Sequence, residues 1–145
     1  MKRTGIAIAI IVMIAASMAQ GCATQKALNF DVKGQVDKPG TYDLNSYSDR
    51  FITITAKLDG KVTHLPEANY TGIPLRAVLA DAGIKNGATN VTARASDGYA
   101  QTFDLANVTS NDNVILINDN DTVRVVAKGY AGGMWVEKVT ELDVS

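Results

Sequence analysis

Apolar and polar residues along this chain fall into two rhythms. One stretch, Tyr70–Ile84 (YTGIPLRAVLADAGI), carries a helical rhythm. Leu75, Val78, Leu79 and Ala82 recur at i, i+3, i+4 and i+7 and share one face, while Arg76 and Asp81 fall off it. Pro74 suits a first helical turn, where its missing N–H leaves no orphan. Thr71 is placed to cap the exposed amides, and Gly83 stands where a helix end favours a left-handed residue. The pattern predicts a helix of about three turns, regular over about residues 73–82, whose stripe must bury against a sheet.

Elsewhere the rhythm is that of strands. Asn29–Val36 alternates weakly, and Asp37-Lys38-Pro39-Gly40 is a turn in which Pro fixes φ and Gly supplies a positive one. Tyr42–Tyr47 reads as a helical turn. Arg50–Asp59 alternates cleanly, with Ile52, Ile54, Ala56 and Leu58 on one side. Gly60 turns the chain, Lys61–Leu65 returns beside that strand, and Pro66 ends the return. Asn90–Ser96 and Tyr99–Phe103 flank Asp97-Gly98, a favoured two-residue hairpin turn. That turn would oppose Ser96 to Tyr99, Arg94 to Gln101 and Thr92 to Phe103. Val114–Ile117 is continuously apolar, as in a strand covered on both faces. Asn118–Asp121 is a turn, and Thr122–Lys128 alternates again. Trp135 and Val136 restart the pattern, and the broken phase of Val139, Leu142 and Val144 predicts a bulge near Lys138. The count is roughly seven to nine short strands and one clear helix. The expected class is α+β, mostly β, with mixed sheets.

The N-terminus departs from both rhythms. Lys2 and Arg3 precede an uncharged apolar run, Gly5–Ala16, and small residues lead to Gly21-Cys22. This is the layout of a secretory signal peptide, and the run is shorter than the roughly 20 residues that span a bilayer. Gly21-Cys22 resembles a lipobox, although Ala19 and Gln20 depart from its usual residues. The expected organisation is a signal peptide over 1–21, lipidation at Cys22, a tether over 22–28 and one domain over 29–145. That places the domain outside the cytoplasmic membrane, in the cell envelope, facing periplasm or exterior. Ordinary cleavage and an uncleaved anchor remain the alternative readings.

Charge and cysteine usage narrow the partners. The whole chain has 14 Lys+Arg and 15 Asp+Glu. Removing Lys2 and Arg3 with the signal leaves 12 basic residues, a net of −3. A mildly acidic domain without a basic block argues against nucleic acid. Cys22 is the only cysteine, so the domain has no disulfide and stability rests on packing.

The chemistry-bearing residues are few. His64 is the sole histidine, and zinc needs three or four convergent ligands, so a surface strand position is the simpler reading. Asn118–Asp121 lacks the spacing of a calcium loop. Gly129-Tyr130-Ala131-Gly132-Gly133 lacks the order of a phosphate loop. It reads either as a connection or as a backbone that lets a ligand approach, with Tyr130 as a lid. Trp135, the one tryptophan, suits a core anchor. Arg94, Arg124 and Lys128 lie on separate strands, either facing solvent or converging on an anion. Four N-x-T sequons begin at Asn69, Asn90, Asn107 and Asn120 and matter only in a glycosylating host.

Four pieces stand in a telling order. They are Tyr70-Thr71-Gly72-Ile73-Pro74-Leu75 before a helix ending Ala82-Gly83; Ala95-Ser96-Asp97-Gly98-Tyr99; Val123-Arg124-Val125-Val126; and Gly133-Met134-Trp135-Val136-Glu137-Lys138-Val139. The chain resembles the molybdopterin-binding domain of the sulfite oxidase family in minimal form, over about Phe30 to Val144. The resemblance implies a mostly β fold with a pterin in a cleft. In that family a cysteine ahead of the G-[IV]-P-L helix holds molybdenum; here the corresponding Ile54–Leu65 contains none. Gly72, Asp97, Gly98, Tyr99, Trp135 and Lys138 are the positions that match.

The expected function follows from the resemblance and the missing thiolate. It is an exported, lipid-anchored, non-catalytic domain that binds a pterin without molybdenum, or a similar small planar ligand, or relays to a membrane-protein partner. Tyr99, Tyr130 and Trp135 would supply stacking surface; Arg94, Asp97, Lys128 and Lys138 would supply polar contacts. The alternatives are a structural or partner-binding envelope module and, third, a molybdopterin-dependent oxidoreductase.

Overall fold

The computed structural model describes residues 26–145. The expected signal segment and Cys22 lie outside them. Among the described residues the strands are β1 (Asn29–Gly34), β2 (Gly40–Asp43), β3 (Ile52–Asp59), β4 (His64–Pro74), β5 (Asn90–Ala95), β6 (Ala100–Asp104), β7 (Val114–Asp119), β8 (Thr122–Ala127) and β9 (Val139–Val144). Two α-helices, α1 (Leu75–Ala82) and α2 (Leu105–Ser110), and 3₁₀ turns at Leu44–Arg50 and Gly132–Met134 complete them.

The strands form two sheets. One has the order β2-β1-β9-β5-β6 and is mixed, because β1 runs parallel to β9 while its other pairs are antiparallel. The other, β3-β4-β7-β8, is antiparallel throughout. The class is therefore α+β and mostly β with open sheets. Both sheets feed one apolar core: Phe30, Val32, Val91, Phe103 and Leu142 from the first, Ile73, Ile115, Leu116, Val125 and Val126 from the second. Each such side chain contributes roughly 1.5–3 kcal/mol by leaving water. The Val114–Ile117 run is buried at all four positions, as a strand covered on both faces requires.

Helix α1 buries the expected stripe completely: Leu75, Val78, Leu79 and Ala82 have no exposed surface. Gly83 closes it at φ +73°, its N–H donating to the Leu79 carbonyl at 3.0 Å. The Asp37–Pro39 turn finishes the cap, since the Asp37 and Lys38 N–H groups donate to the carbonyls of Gly83 and Ala82. The start differs from expectation. Residues 70–74 are the end of β4, where Ile73 and Pro74 pair with Leu116 and Ile115 of β7. Pro74 is extended (ψ 134°), and the Thr71 hydroxyl meets that of Thr53 at 2.7 Å across the sheet instead of capping. The helix is eight residues long.

Three strand expectations are likewise revised. Pro66 does not end the return after Gly60; it lies within β4, whose His64–Asn69 portion is exposed, and a proline is tolerated where the ladder is open. Trp135 and Val136 belong to an irregular segment joined to β8 through the Val125 N–H to Val136 carbonyl bond. In the β5–β6 hairpin the loop has three residues, Ser96-Asp97-Gly98. Gly98 is left-handed at φ +91°, and the Ala95 N–H donates to the Tyr99 carbonyl at 2.7 Å. The register therefore shifts by one: Val91 faces Phe103 and Arg94 faces Ala100. That shift turns Phe103 onto the buried face with Val91 and Ala93. The break expected near Lys138 is present: Lys138 has φ +53°, and the β5–β9 register slips between Arg94 and Ala95.

Candidate functional site

Three loops far apart in sequence meet around a cleft of about 600 Å³. The first is the β3–β4 tip, Leu58–Thr63. Gly60 forms its turn, with its N–H on the Thr63 carbonyl at 2.9 Å. A bulge between Ala56 and Leu58 bends the strands that carry it. The second is the β5–β6 turn, contributing Ala95, Asp97 and Tyr99, and the third is the glycine loop Ala131–Gly133 with Trp135 behind it. Arg124 of β8 and Glu137 complete the lining.

The walls are tied together by backbone approach and by one tyrosine. A Cβ on Gly132 would stand 2.7 Å from Gly60 Cα, so these two loops come this close only because Gly132 lacks a side chain. The Tyr99 hydroxyl donates to the Gly133 carbonyl at 2.6 Å and accepts from Gln101 Nε2 at 2.9 Å. Tyr99 thus pins the β5–β6 turn to the glycine loop while the residue stays 45% exposed. Asp97 Oδ1 accepts the Tyr99 N–H at 3.0 Å and fixes the turn. Trp135 is a wall seen from its edge: it is buried, its Nε1–H donates to the Ala127 carbonyl at 2.8 Å, and its ring meets Tyr70 edge-on at 5.4 Å.

The charges are largely spent on one another. Arg124 is only 15% exposed and bonds Asp119 at 3.1 Å and Glu137 at 3.2 Å. Its Nε is buried without a partner among the described residues, a costly arrangement for a cation's donor. The Lys57 ammonium, 3.1 Å from Asp59, holds that carboxyl below the usual range, helped by His64 at 3.6 Å. The cleft lining carries Asp59, Asp97 and Glu137 against Lys61 and Arg124.

Of the residues singled out in the sequence, the structure brings Asp97, Tyr99 and Trp135 to the cleft. Arg94 pairs with Glu141 at 3.3 Å on the exposed face of the first sheet. Lys128 is exposed beyond β8. Tyr130 packs edge-on against Phe103 at 5.4 Å, and Lys138 borders a separate depression of about 220 Å³ with Ser96 and Thr140. These four do not line the cleft: Arg94 takes the face of β5 opposite to Ala95, and Lys128, Tyr130 and Lys138 lie in the irregular segment between β8 and β9. Of the three strand cations that could converge on an anion, only Arg124 lines the cleft; Asp59, Lys61 and Glu137 line it too and are singled out by no motif in the sequence. The available signal was Gly60, a lone glycine between two alternating runs.

No group of three or more His, Cys, Asp or Glu among the described residues is placed to hold a metal. A thiolate-held molybdenum cofactor also needs a cysteine, and residues 26–145 contain none. A phosphate-bearing pterin further needs cations, and of the two in the lining Arg124 is claimed by two carboxylates, which leaves Lys61. The donor set does not fit that complete cofactor.

A mixed five-stranded sheet beside an antiparallel four-stranded one, with a cleft between loops at Gly60, Asp97 and Gly132, defines a class. Residues 18–145 match the oxidoreductase molybdopterin binding domain, and the chain belongs to that family. Its fold is similar to that of the sulfane dehydrogenase SoxCD from Paracoccus pantotrophus, with a TM-score of 0.69 at 21% identity. That alignment covers 83% of this chain and 39% of the SoxCD chain, so the protein spans well under half of that relative. No curated protein matches the chain.

Proposed function

We propose that this protein is a ligand-binding member of the family that works without molybdenum, displayed outside the cytoplasmic membrane by lipid on Cys22. Its cleft takes a pterin or a similar small planar molecule, in binding that is either an end in itself or a signal relayed to a membrane partner. The observation that carries the reading is the cleft itself. It is open and its walls are pinned, yet the β3–β4 segment that would supply a metal-holding thiolate has none. Tyr99 supplies an exposed aromatic face, and the glycine loop lets a ligand approach backbone closely. The family membership supports a pterin as the ligand class.

Titrating the full-length chain with oxidised and reduced pterins, following Trp135 emission, tests this. A saturable change at micromolar ligand is expected; a flat response rejects the pterin reading. Replacing Cys22 by Ala is expected to move the chain from the membrane fraction to the soluble one.

A partner-binding envelope module is the second reading. It is favoured by the β3–β4 tip, where Val62 is 94% exposed and Leu65 37% exposed. A flat pterin titration favours it over the first.

A further inference from the structure

The lining of the cleft carries information about which planar ligands it admits. Its apolar lining is Leu58, Tyr99 and Trp135, with Val62 almost fully exposed at the β3–β4 tip. Its rim is acidic. Glu137 uses one oxygen on Arg124, and Asp97 uses one on the Tyr99 N–H. The second oxygen of each has no partner among the described residues. Carboxylate oxygens only accept hydrogen bonds, so each is a free acceptor on a residue of the lining. The least exposed cation of the lining, Arg124, carries a carboxylate on each side, so a ligand phosphate that approaches it meets the charges of Asp119 and Glu137.

We infer that the cleft selects an uncharged or cationic flat heterocycle with N–H donors along one edge, and discriminates against the same ring bearing a phosphate. This rests on the ligand-binding reading above and narrows it. Asp97 and Glu137 are the specificity-determining residues. They accept from the donor edge of the ring, and their charge repels an anionic substituent. Glu137 has a second effect, because it occupies the guanidinium that would otherwise attract phosphate. The ligand is then a free pterin-like ring and not the phosphorylated cofactor for which the family is named.

The experiment compares 6-hydroxymethylpterin with its phosphate ester on the full-length chain in detergent, by Trp135 emission and by calorimetry. The alcohol is expected to bind about ten-fold more tightly than the ester at low salt. That gap should narrow as salt screens the charges. Glu137→Gln, which removes one of the two negative charges beside Arg124, is expected to raise ester affinity while lowering that of the alcohol. Asp97→Asn keeps the acceptor oxygen that fixes the turn and is expected to narrow the gap on its own. Equal or tighter binding of the ester to the unmodified chain overturns the inference and leaves ligand binding standing. A gap that neither variant changes overturns the assignment to these two carboxylates. Failure of both compounds to bind overturns the ligand-binding reading itself.

Discussion

At Gly72 the backbone of β4 runs so close to β7 that a Cβ would stand 2.0 Å from the Leu116 carbonyl oxygen and 2.9 Å from Ile117 Cγ2. The obstacle is backbone, which cannot swing aside. Gly72→Ala is therefore expected to destabilise the fold by about 2–3 kcal/mol, read as a lowered midpoint in chemical denaturation. This supplies a physical reason for a glycine that in the sequence is only the first letter of a Gly-Ile-Pro-Leu motif. Tyr47 shows a different single-residue effect. Burial, and then the Asp81 carboxylate, push its phenol up to about 12 from the ordinary 10.0, partly offset by Arg50 over its ring. The unfolded chain therefore releases this proton at lower pH than the folded one. The stability linked to it is complete below pH 10 and is lost as pH rises toward 12. Tyr47→Phe is expected to remove that component of the alkaline loss, as measured by denaturation midpoints across this window. Nothing in the local pattern around Tyr47 announced the effect, because Asp81 arrives from α1.

Among the elements, those ruled by local pattern were legible and those ruled by distant pairing were not. The stripe of α1 and its Gly83 stop follow from spacing and a positive φ. Its first residue did not follow, because Pro74 looks the same at the start of a helix as at the end of a strand. Pairing with Ile115, about forty residues away, decides the matter. The β5–β6 hairpin was recognisable from Asp97-Gly98, but a glycine in a three-residue loop and one in a two-residue turn leave similar traces. The difference is one residue of register and the whole orientation of Phe103. Helix α2 escaped notice because six residues with two buried positions, Leu105 and Val108, make no readable period. Its start signal was available: Asp104 caps the Asn107 N–H through Oδ1 at 3.3 Å. Asp104→Ala is expected to cost about 1 kcal/mol, seen as a small drop in thermal midpoint with the cleft unaffected.

At the scale of the molecule, β1 and β9 lie side by side although they are the first and last strands of the described chain, and the cleft draws on loops at residues 60, 97 and 132. Motif order along the sequence indicated the family, and the fold follows from it. The same order could not show that Tyr130 and Lys138 turn away from the cleft while Glu137, next to Lys138, turns toward it. A left-handed residue at 138 breaks the alternation there. The central claim is that this three-loop cleft is where the ligand binds. Amide chemical-shift mapping of the isotopically labelled full-length chain during titration with 6-hydroxymethylpterin tests it most directly. The account predicts saturable shifts confined to Leu58–Thr63, Asp97–Tyr99 and Gly132–Glu137, with the groove beside α1 that is lined by Arg50, Arg76 and Asp112 unmoved. Saturable shifts centred on that groove, or none at millimolar ligand, would contradict it.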